Sequence, residues 1–148
     1  MVHLREITEE NFLDAFALRL APGQERFVSH PIRSLAQAYV YRAQCRPLGI
    51  YAGEVMVGYV MVIYDFDVPE YDIWHMMIDA SKQGRGYGGA ALDRALDYIR
   101  TKPFGPANRV CLSCNRDNAR ALKLYRRRGF AETGAADGDE IELSRPLR

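Results

Sequence analysis

Four glycines fall within six residues in Gly84-Arg85-Gly86-Tyr87-Gly88-Gly89, and this cluster constrains the fold more than any other stretch. It separates a strand-like apolar run, Tyr71 to Asp79, from a helical pattern over about Gly88 to Arg100. In that helix Leu92, Ala95, Leu96 and Ile99 share one face. A second strand-like run follows from Arg109 to Cys114. Strand, crossover helix and strand imply a parallel pair inside a sheet. So many glycines at a strand-to-helix junction are costly unless the backbone there has a use. Bare N–H groups and the positive end of a helix converge at such a junction, so the chemistry indicated is pyrophosphate binding. A merely flexible turn is the weaker reading.

The rest of the chain is arranged around that unit. Val2 to Ile7 reads as a strand. Thr8 looks like the cap of a helix whose apolar stripe is Phe12, Leu13, Phe16, Leu18 and Leu20, stopped by Ala21-Pro22-Gly23. A second helix is expected over about Ile32 to Gln44. Leu48 to Tyr51 and Val55 to Tyr64 flank Ala52-Gly53-Glu54 as a hairpin. Near the C-terminus a helix over about Asp117 to Arg128 ends at Gly129. Two short strands, near Phe130 and at Ile141 to Leu143, close the chain. The predicted order is βααβββαβαββ, an α/β (α+β) class, in a single domain spanning residues 1–148.

Composition narrows the function classes. At 148 residues with 48% hydrophobic and 26% charged content, the chain is a globular domain that needs no disulfide or metal staple. A formal net charge of +1 argues against a generally basic nucleic-acid binder. No apolar run approaches the roughly 18 residues of a membrane span, and the charged Met1–Glu6 start lacks an apolar core. Three cysteines do not suggest a secreted framework, so a cytoplasmic protein is expected. Cys111 and Cys114 would point to opposite faces of a strand, and no His or Cys pair has ligand spacing. No metal is therefore expected.

Two phosphate-binding patterns compete for the glycine cluster. Gly84, Gly86 and Gly89 match G-x-G-x-x-G, but a dinucleotide fold should carry an acid about 20 residues later. Arg109 and the strand after it offer none. The second pattern is Gln83-x-x-Gly86-x-Gly88 opening a helix, followed by Asn118-Ala119, Leu124-Tyr125 and Gly129-Phe130 around the next helix. In this the chain resembles the GNAT superfamily of N-acetyltransferases, with both motifs in order and nearly the whole length covered. The resemblance implies the GNAT fold, a mixed sheet of about six to seven strands flanked by about four helices. It also implies acetyl-CoA as co-substrate.

What the resemblance implies can be placed residue by residue. Backbone of Met76, Met77 and Ile78 would pair with pantetheine on a strand that splays from its neighbour. Gln83 opens the motif, and the amides of Gly84, Arg85, Gly86, Tyr87, Gly88 and Gly89 would hold the pyrophosphate, with Arg85 adding charge. Asn118 would contact the cofactor, and Tyr125 would protonate the departing thiolate. A phenol of pKa about 10 is protonated at neutral pH yet able to donate. Arg109, Arg116, Arg120, Lys123 and Arg126 to Arg128 read mainly as a solvated face. One or two of them are candidates for the CoA 3′-phosphate.

The acceptor side is marked by Asp65, Asp67, Glu70 and Asp72, four acids with no base among them. They read as a polar loop or as a surface that attracts a polycationic amine. Leu4 to Thr8 with Asn11, Gln24 to Val28, Ser34 to Ala38 and Ile73-Trp74-x-Met76-Met77-Ile78-Asp79 are similar to bacterial spermine/spermidine acetyltransferases. That likeness implies a small-molecule amine, first a polyamine, with Gln24 and Glu25 as candidate contacts. An amino acid, a peptide N-terminus or an aminoglycoside is the alternative acceptor. A non-catalytic acyl-CoA-binding module is the alternative class. Some polyamine acetyltransferases carry a glutamate nine positions before the motif, where this chain has Trp74. Asp72 or His75 would then act as base through water, with Trp74 lining the channel. Neither nucleic acid nor membrane is an expected partner, and the resemblance leaves a homodimer open.

Overall fold

A computed structural model describes residues Met1–Arg148. Its strands are β1 (Val2–Glu6), β2 (Cys45–Ala52), β3 (Val55–Asp65), β4 (Glu70–Ile78), β5 (Arg109–Asn115), β6 (Ala131–Asp137) and β7 (Glu140–Pro146). The helices are α1 (Phe12–Ala17), α2 (Pro31–Val40), α3 (Tyr87–Arg100) and α4 (Ala119–Arg127). One seven-stranded sheet runs β1-β2-β3-β4-β5-β7-β6. Every neighbouring pair is antiparallel except β4 and β5, which are parallel as the strand–helix–strand unit requires.

Each face of the sheet carries its own core. The larger one buries Val60, Val62, Tyr71 and Ile73 against Leu92, Leu96 and Ile99 of α3 and Leu122 of α4. The smaller one packs Ala15 and Leu18 from the α1 region and Ala38 of α2 on Tyr59, Met61 and Met77. Burial of roughly 25 cal/mol per Å² of apolar surface on both faces holds the helices to the sheet.

Several boundaries differ from the sequence expectation, for tertiary reasons. Asn11, not Thr8, precedes α1: its Oδ1 accepts from the Thr8 N–H at 2.8 Å and its Nδ2 donates to the Glu6 carbonyl and the Tyr51 hydroxyl. The helix stops at Ala17 instead of running to Leu20. Leu18 turns extended, and the Arg19 N–H is taken by Asp79 Oδ1 at 2.7 Å. His30 caps α2 by accepting from the Ile32 N–H on Nδ1, so Nε2 carries the proton and donates to the Leu18 carbonyl at 2.7 Å. That helix ends at Val40 because Gln44 is diverted to the Tyr64 carbonyl at 2.9 Å. The last two strands are a full hairpin of seven residues each rather than short pieces.

Two departures from regular pairing shape the region after β4. Strands β4 and β5 pair only through Tyr71↔Val110 and Asp72↔Cys111 and then diverge. From Ile73 to Ile78, β4 has a strand on one side only. The register of β3 against β4 also shifts, with Val62 opposite Ile73 but Met61 opposite His75. Trp74 is the extra residue of this bulge.

At the far end of β4 the strands come unusually close. A Cβ added to Gly58 would lie 2.4 Å from the Met77 carbonyl oxygen and 2.9 Å from Ile78 Cδ1. Backbone must move to admit it, so Gly58→Ala should cost about 1–3 kcal/mol. A fall of several degrees in Tm by thermal melt checks this, and an unchanged Tm would contradict it.

Candidate active site

The divergence of β4 and β5 opens a cleft, and the glycine loop forms its floor. Gly84 and Gly86 have φ of +80° and +81°, and a Cβ at either would meet nothing within 4 Å. Backbone there is open to an approaching group. Gly86 caps α3 without a side-chain bond, and the first-turn N–H groups of Tyr87, Gly88 and Gly89 have no protein acceptor. Three unpaired amides at the positive end of a 14-residue helix fit an anionic pyrophosphate.

This glycine-floored cleft has a volume of about 390 Å³. Met76, Met77, Ile78, Gln83, Gly84, Gly86, Tyr87, Gly88, Gly89, Asn118 and Tyr125 all line it, so the structure brings these sequence candidates together. Arg85 is exposed and lies outside the lining, where Lys82, Arg120, Lys123 and Arg127 supply positive charge. Arg128 also lines the cleft, with its guanidinium held by Asp93 at 3.0 Å. A Cβ on Gly89 would be 2.6 Å from that guanidinium, the flexible end of a side chain that could shift to admit it. Asn118 caps α4, its Oδ1 accepting from the Ala121 N–H at 3.4 Å.

A second cavity of about 840 Å³ lies on the α1–α2 side. Phe27, Val28, Met76 and Tyr125 line both cavities and mark their junction. Tyr125 stands edge-on to Phe130, with ring centroids 6.1 Å apart. Burial, with the nearby Cys114, pushes its phenol well above the ordinary range. Tyr125 therefore keeps its proton at any physiological pH.

Carboxylates line the second cavity from four separate elements: Glu25 of the Gln24–Arg26 turn, Asp65 of β3, Glu70 and Asp72 of β4, and Glu140 of β7. Asp67 is not among them. Its backbone N–H donates to Asp65 Oδ1 at 2.9 Å in the β3–β4 turn. Glu70 is paired with Arg109 at 2.6 Å. Asp72 has no such partner. Burial, reinforced by Glu142 and Glu70, pushes its carboxyl up to about 7.

The bulge decides which side chains join these acids. Ile73 and Met76 both pack into the larger core although three positions apart, so Trp74 and His75 both turn to the opposite face. There the two rings stack at 4.8 Å, with Tyr41 edge-on to Trp74 at 5.6 Å. His75 Nδ1 lies 2.6 Å from Ser34 Oγ, which is 2.8 Å from the Tyr59 hydroxyl. Burial and Arg33 lower the His75 imidazole to about 4, so it is neutral at pH 7. The two candidates for the base thus differ: only Asp72 has a proton affinity near neutrality.

Gln24 and Glu25, paired as acceptor candidates by the sequence, separate in space. Gln24 lines the glycine-floored cleft and Glu25 the second cavity. Phe27 and Val28 enter the sequence reading only as part of the Gln24 to Val28 stretch, and Glu140 not at all. Glu140 arrives through the β7 crossover, and Glu-Ile-Glu-Leu alternation was the available signal. Cys111 and Cys114 are on opposite faces of β5, and burial pushes their thiols up to about 12 and about 11. No helix is long and apolar enough to cross a membrane.

Comparison with known proteins agrees with this geometry. The Bacillus subtilis spermine/spermidine N(1)-acetyltransferase is 23% identical over 145 residues, covering 92% of this chain and 91% of that protein. The N-alpha-acetyltransferase RimI of Mycobacterium tuberculosis is 34% identical over 89 residues, 59% of this chain and 52% of that one. The crystal structure of Vibrio cholerae spermidine N-acetyltransferase in complex with CoA and spermine superposes with a TM-score of 0.71 at 18% identity, covering 99% and 95% of the two chains. Residues 5–130 match the model of the Acetyltransferase (GNAT) family. With its mixed seven-stranded sheet, its splayed central pair and its glycine-floored cleft, this chain belongs to the GNAT family of acetyltransferases.

Proposed function

We propose that this enzyme transfers acetyl from acetyl-CoA directly to a primary amine of a polyamine such as spermidine or spermine. The observation that carries the reading is the junction at Met76 and Tyr125. There a cleft with unpaired helix N–H groups meets a cavity with five carboxylates. A polycation fits the second as a pyrophosphate fits the first. The Bacillus and Vibrio relatives act on, or are seen with, spermine or spermidine, which supports the same acceptor class.

Acetyl-CoA, when bound, supplies the thioester carbonyl that the amine attacks and a thiolate as leaving group. The amides of Tyr87, Gly88 and Gly89 bind its phosphates, and the free edge of β4 at Met76–Ile78 aligns its arm. Asn118 and the cations of α4 flank it. Asp72 accepts the proton that the acceptor ammonium must lose, directly or through one water, and Tyr125 donates a proton to the departing sulfur. Placing amine and thioester together at one junction supplies much of the rate. Trp74 and His75 form the aromatic wall of the acceptor cavity, and Glu25 lies across from them on the α1–α2 connection.

Release of free thiol from acetyl-CoA, followed separately with spermidine, spermine, lysine and a short peptide, tests this. Fast release with the polyamines alone is expected. Turnover restricted to the peptide would support the second reading, an N-terminal peptide amine, which the 34% identity to the mycobacterial RimI favours. No release with any of them would remove both.

A further inference from the structure

The connection between α1 and α2 crosses the mouth of the cleft, and one polar contact ties it to the glycine loop. Gln83 Nε2 donates to Gln24 Oε1 at 2.9 Å and to the Ile78 carbonyl at 3.0 Å. Gln24 Oε1 also accepts from the Ala21 N–H at 3.2 Å. The Ile78 carbonyl can only accept and the Ala21 N–H can only donate, so both amide orientations are fixed. Both hydrogens of one amide and both lone pairs of the other are committed. The contact therefore has a set direction and no slack.

The groups it joins serve different substrates. Gln83 opens the loop whose hinges are Gly84 and Gly86, and Ile78 ends the strand along the donor cleft. Gln24 begins a short helical turn, Gln24–Arg26, followed at once by Phe27 and Val28 at the junction of the two cavities. Glu25, inside that turn, faces the acceptor cavity. Elsewhere the connection is held at its ends, by His30 on the Leu18 carbonyl and by Asp79 on the Arg19 N–H. Its middle has one other cross-link, Arg26 to Asp117 at 3.4 Å between exposed side chains, and such a pair contributes little.

We propose that the Gln24–Gln83 amide pair couples the two sites, so that closure of the glycine loop on a phosphate-bearing donor fixes the segment that builds the acceptor cavity. Gln24 is thus a positioning residue that acts through Gln83. The proposal rests on the donor-site reading above and not on the identity of the acceptor. Its thermodynamic signature is reciprocal: donor and acceptor each raise the other's affinity by the same factor.

Trypsin cleavage after Arg26 reads the state of this segment with CoA alone, and calorimetry on the same samples reports whether CoA binds. In the wild type, saturating CoA should slow cleavage about tenfold, toward the lower end of the usual range for coupled sites. Gln24→Leu, at a CoA concentration that calorimetry shows to be saturating, should gain less than about twofold protection. Gln24→Glu retains the accepting oxygen and should behave as wild type. Gln24→Asn, one methylene short, should behave as Leu and replaces it if the Leu variant fails to fold. In steady state Gln24→Leu should raise the acceptor KM by a similar factor of about ten with little change in kcat. Full protection in Gln24→Leu or Gln24→Asn would mean that CoA shields the segment directly and would overturn the coupling. Absence of protection in a wild type that binds CoA would do the same. Absence of CoA binding would overturn the donor-site reading itself.

Discussion

Tyr125→Phe should lower kcat about 10²–10⁴-fold, the usual contribution of a positioned general acid, while CoA affinity stays within about threefold. The phenol stands at the junction of the donor and acceptor cavities, and no other hydroxyl lines both. Its oxygen has no protein hydrogen-bond partner, so removing it leaves no orphaned group and Tm should change little. Burial holds the phenol well above its ordinary range. The wild-type profile should therefore show no loss of rate from Tyr125 ionisation below about pH 10. A Phe variant that turned over at the wild-type rate would end the acid assignment.

Asp72→Asn should have the second largest effect, a fall of about 10²-fold or more in kcat/KM for spermidine at pH 8. As base, Asp72 must be ionised, so wild-type kcat/KM should rise with pH through a midpoint of about 7 and the Asn variant should lose that limb. In kcat the midpoint should sit lower, because a bound ammonium beside the carboxylate favours its charged form. Stability should move the opposite way. The folded-state pKa lies above the ordinary value near 3.8, so the native state holds this proton more tightly than the unfolded chain. The resulting stability is fully present below about pH 4 and is lost as pH rises through about 7. Asp72→Asn should abolish that loss and be more stable than wild type at pH 8, by about 1–3 kcal/mol. Equal melting temperatures at pH 8 would refute the unpaired-carboxylate account.

Much of the architecture was legible because the signals were local. Leu92, Leu96 and Ile99 repeat at helical spacing, and Gly129 marks a helix end where φ is +87°. Most of the lining of the glycine-floored cleft was equally legible, since Gln83 to Gly89 lie between a strand and a helix and Asn118 caps the helix that carries Tyr125. What local reading could not supply came from contacts distant in sequence. Alternation along β4 would place His75 with Tyr71 and Ile73 in the larger core. One register shift against β3 turns it into the acceptor cavity instead. Arg85 reads as a phosphate contact by proximity, yet it is exposed beyond the cleft while cations some 35 residues later on α4 line it. The acidic cavity gains Glu140 and loses Asp67 because strand pairing, not sequence distance, sets the neighbours.

The pairing of β4 with β5 through two residues also bears on how the chain comes apart. The strands from β1 to β4 form a meander of sequence neighbours, whereas β5, β7 and β6 form a separate antiparallel block. Between the blocks the ladder is two residue pairs long, and the larger core, shared by both blocks with α3 and α4, joins them. Such a seam is where partial opening is expected to begin, at a free energy below that of global unfolding. A ligand held by both walls adds stability in proportion to the logarithm of its saturation, about 2.7 kcal/mol at a hundred times its dissociation constant. A donor bound across that seam, as proposed above, would tie the persistence of the folded state to the supply of acetyl-CoA.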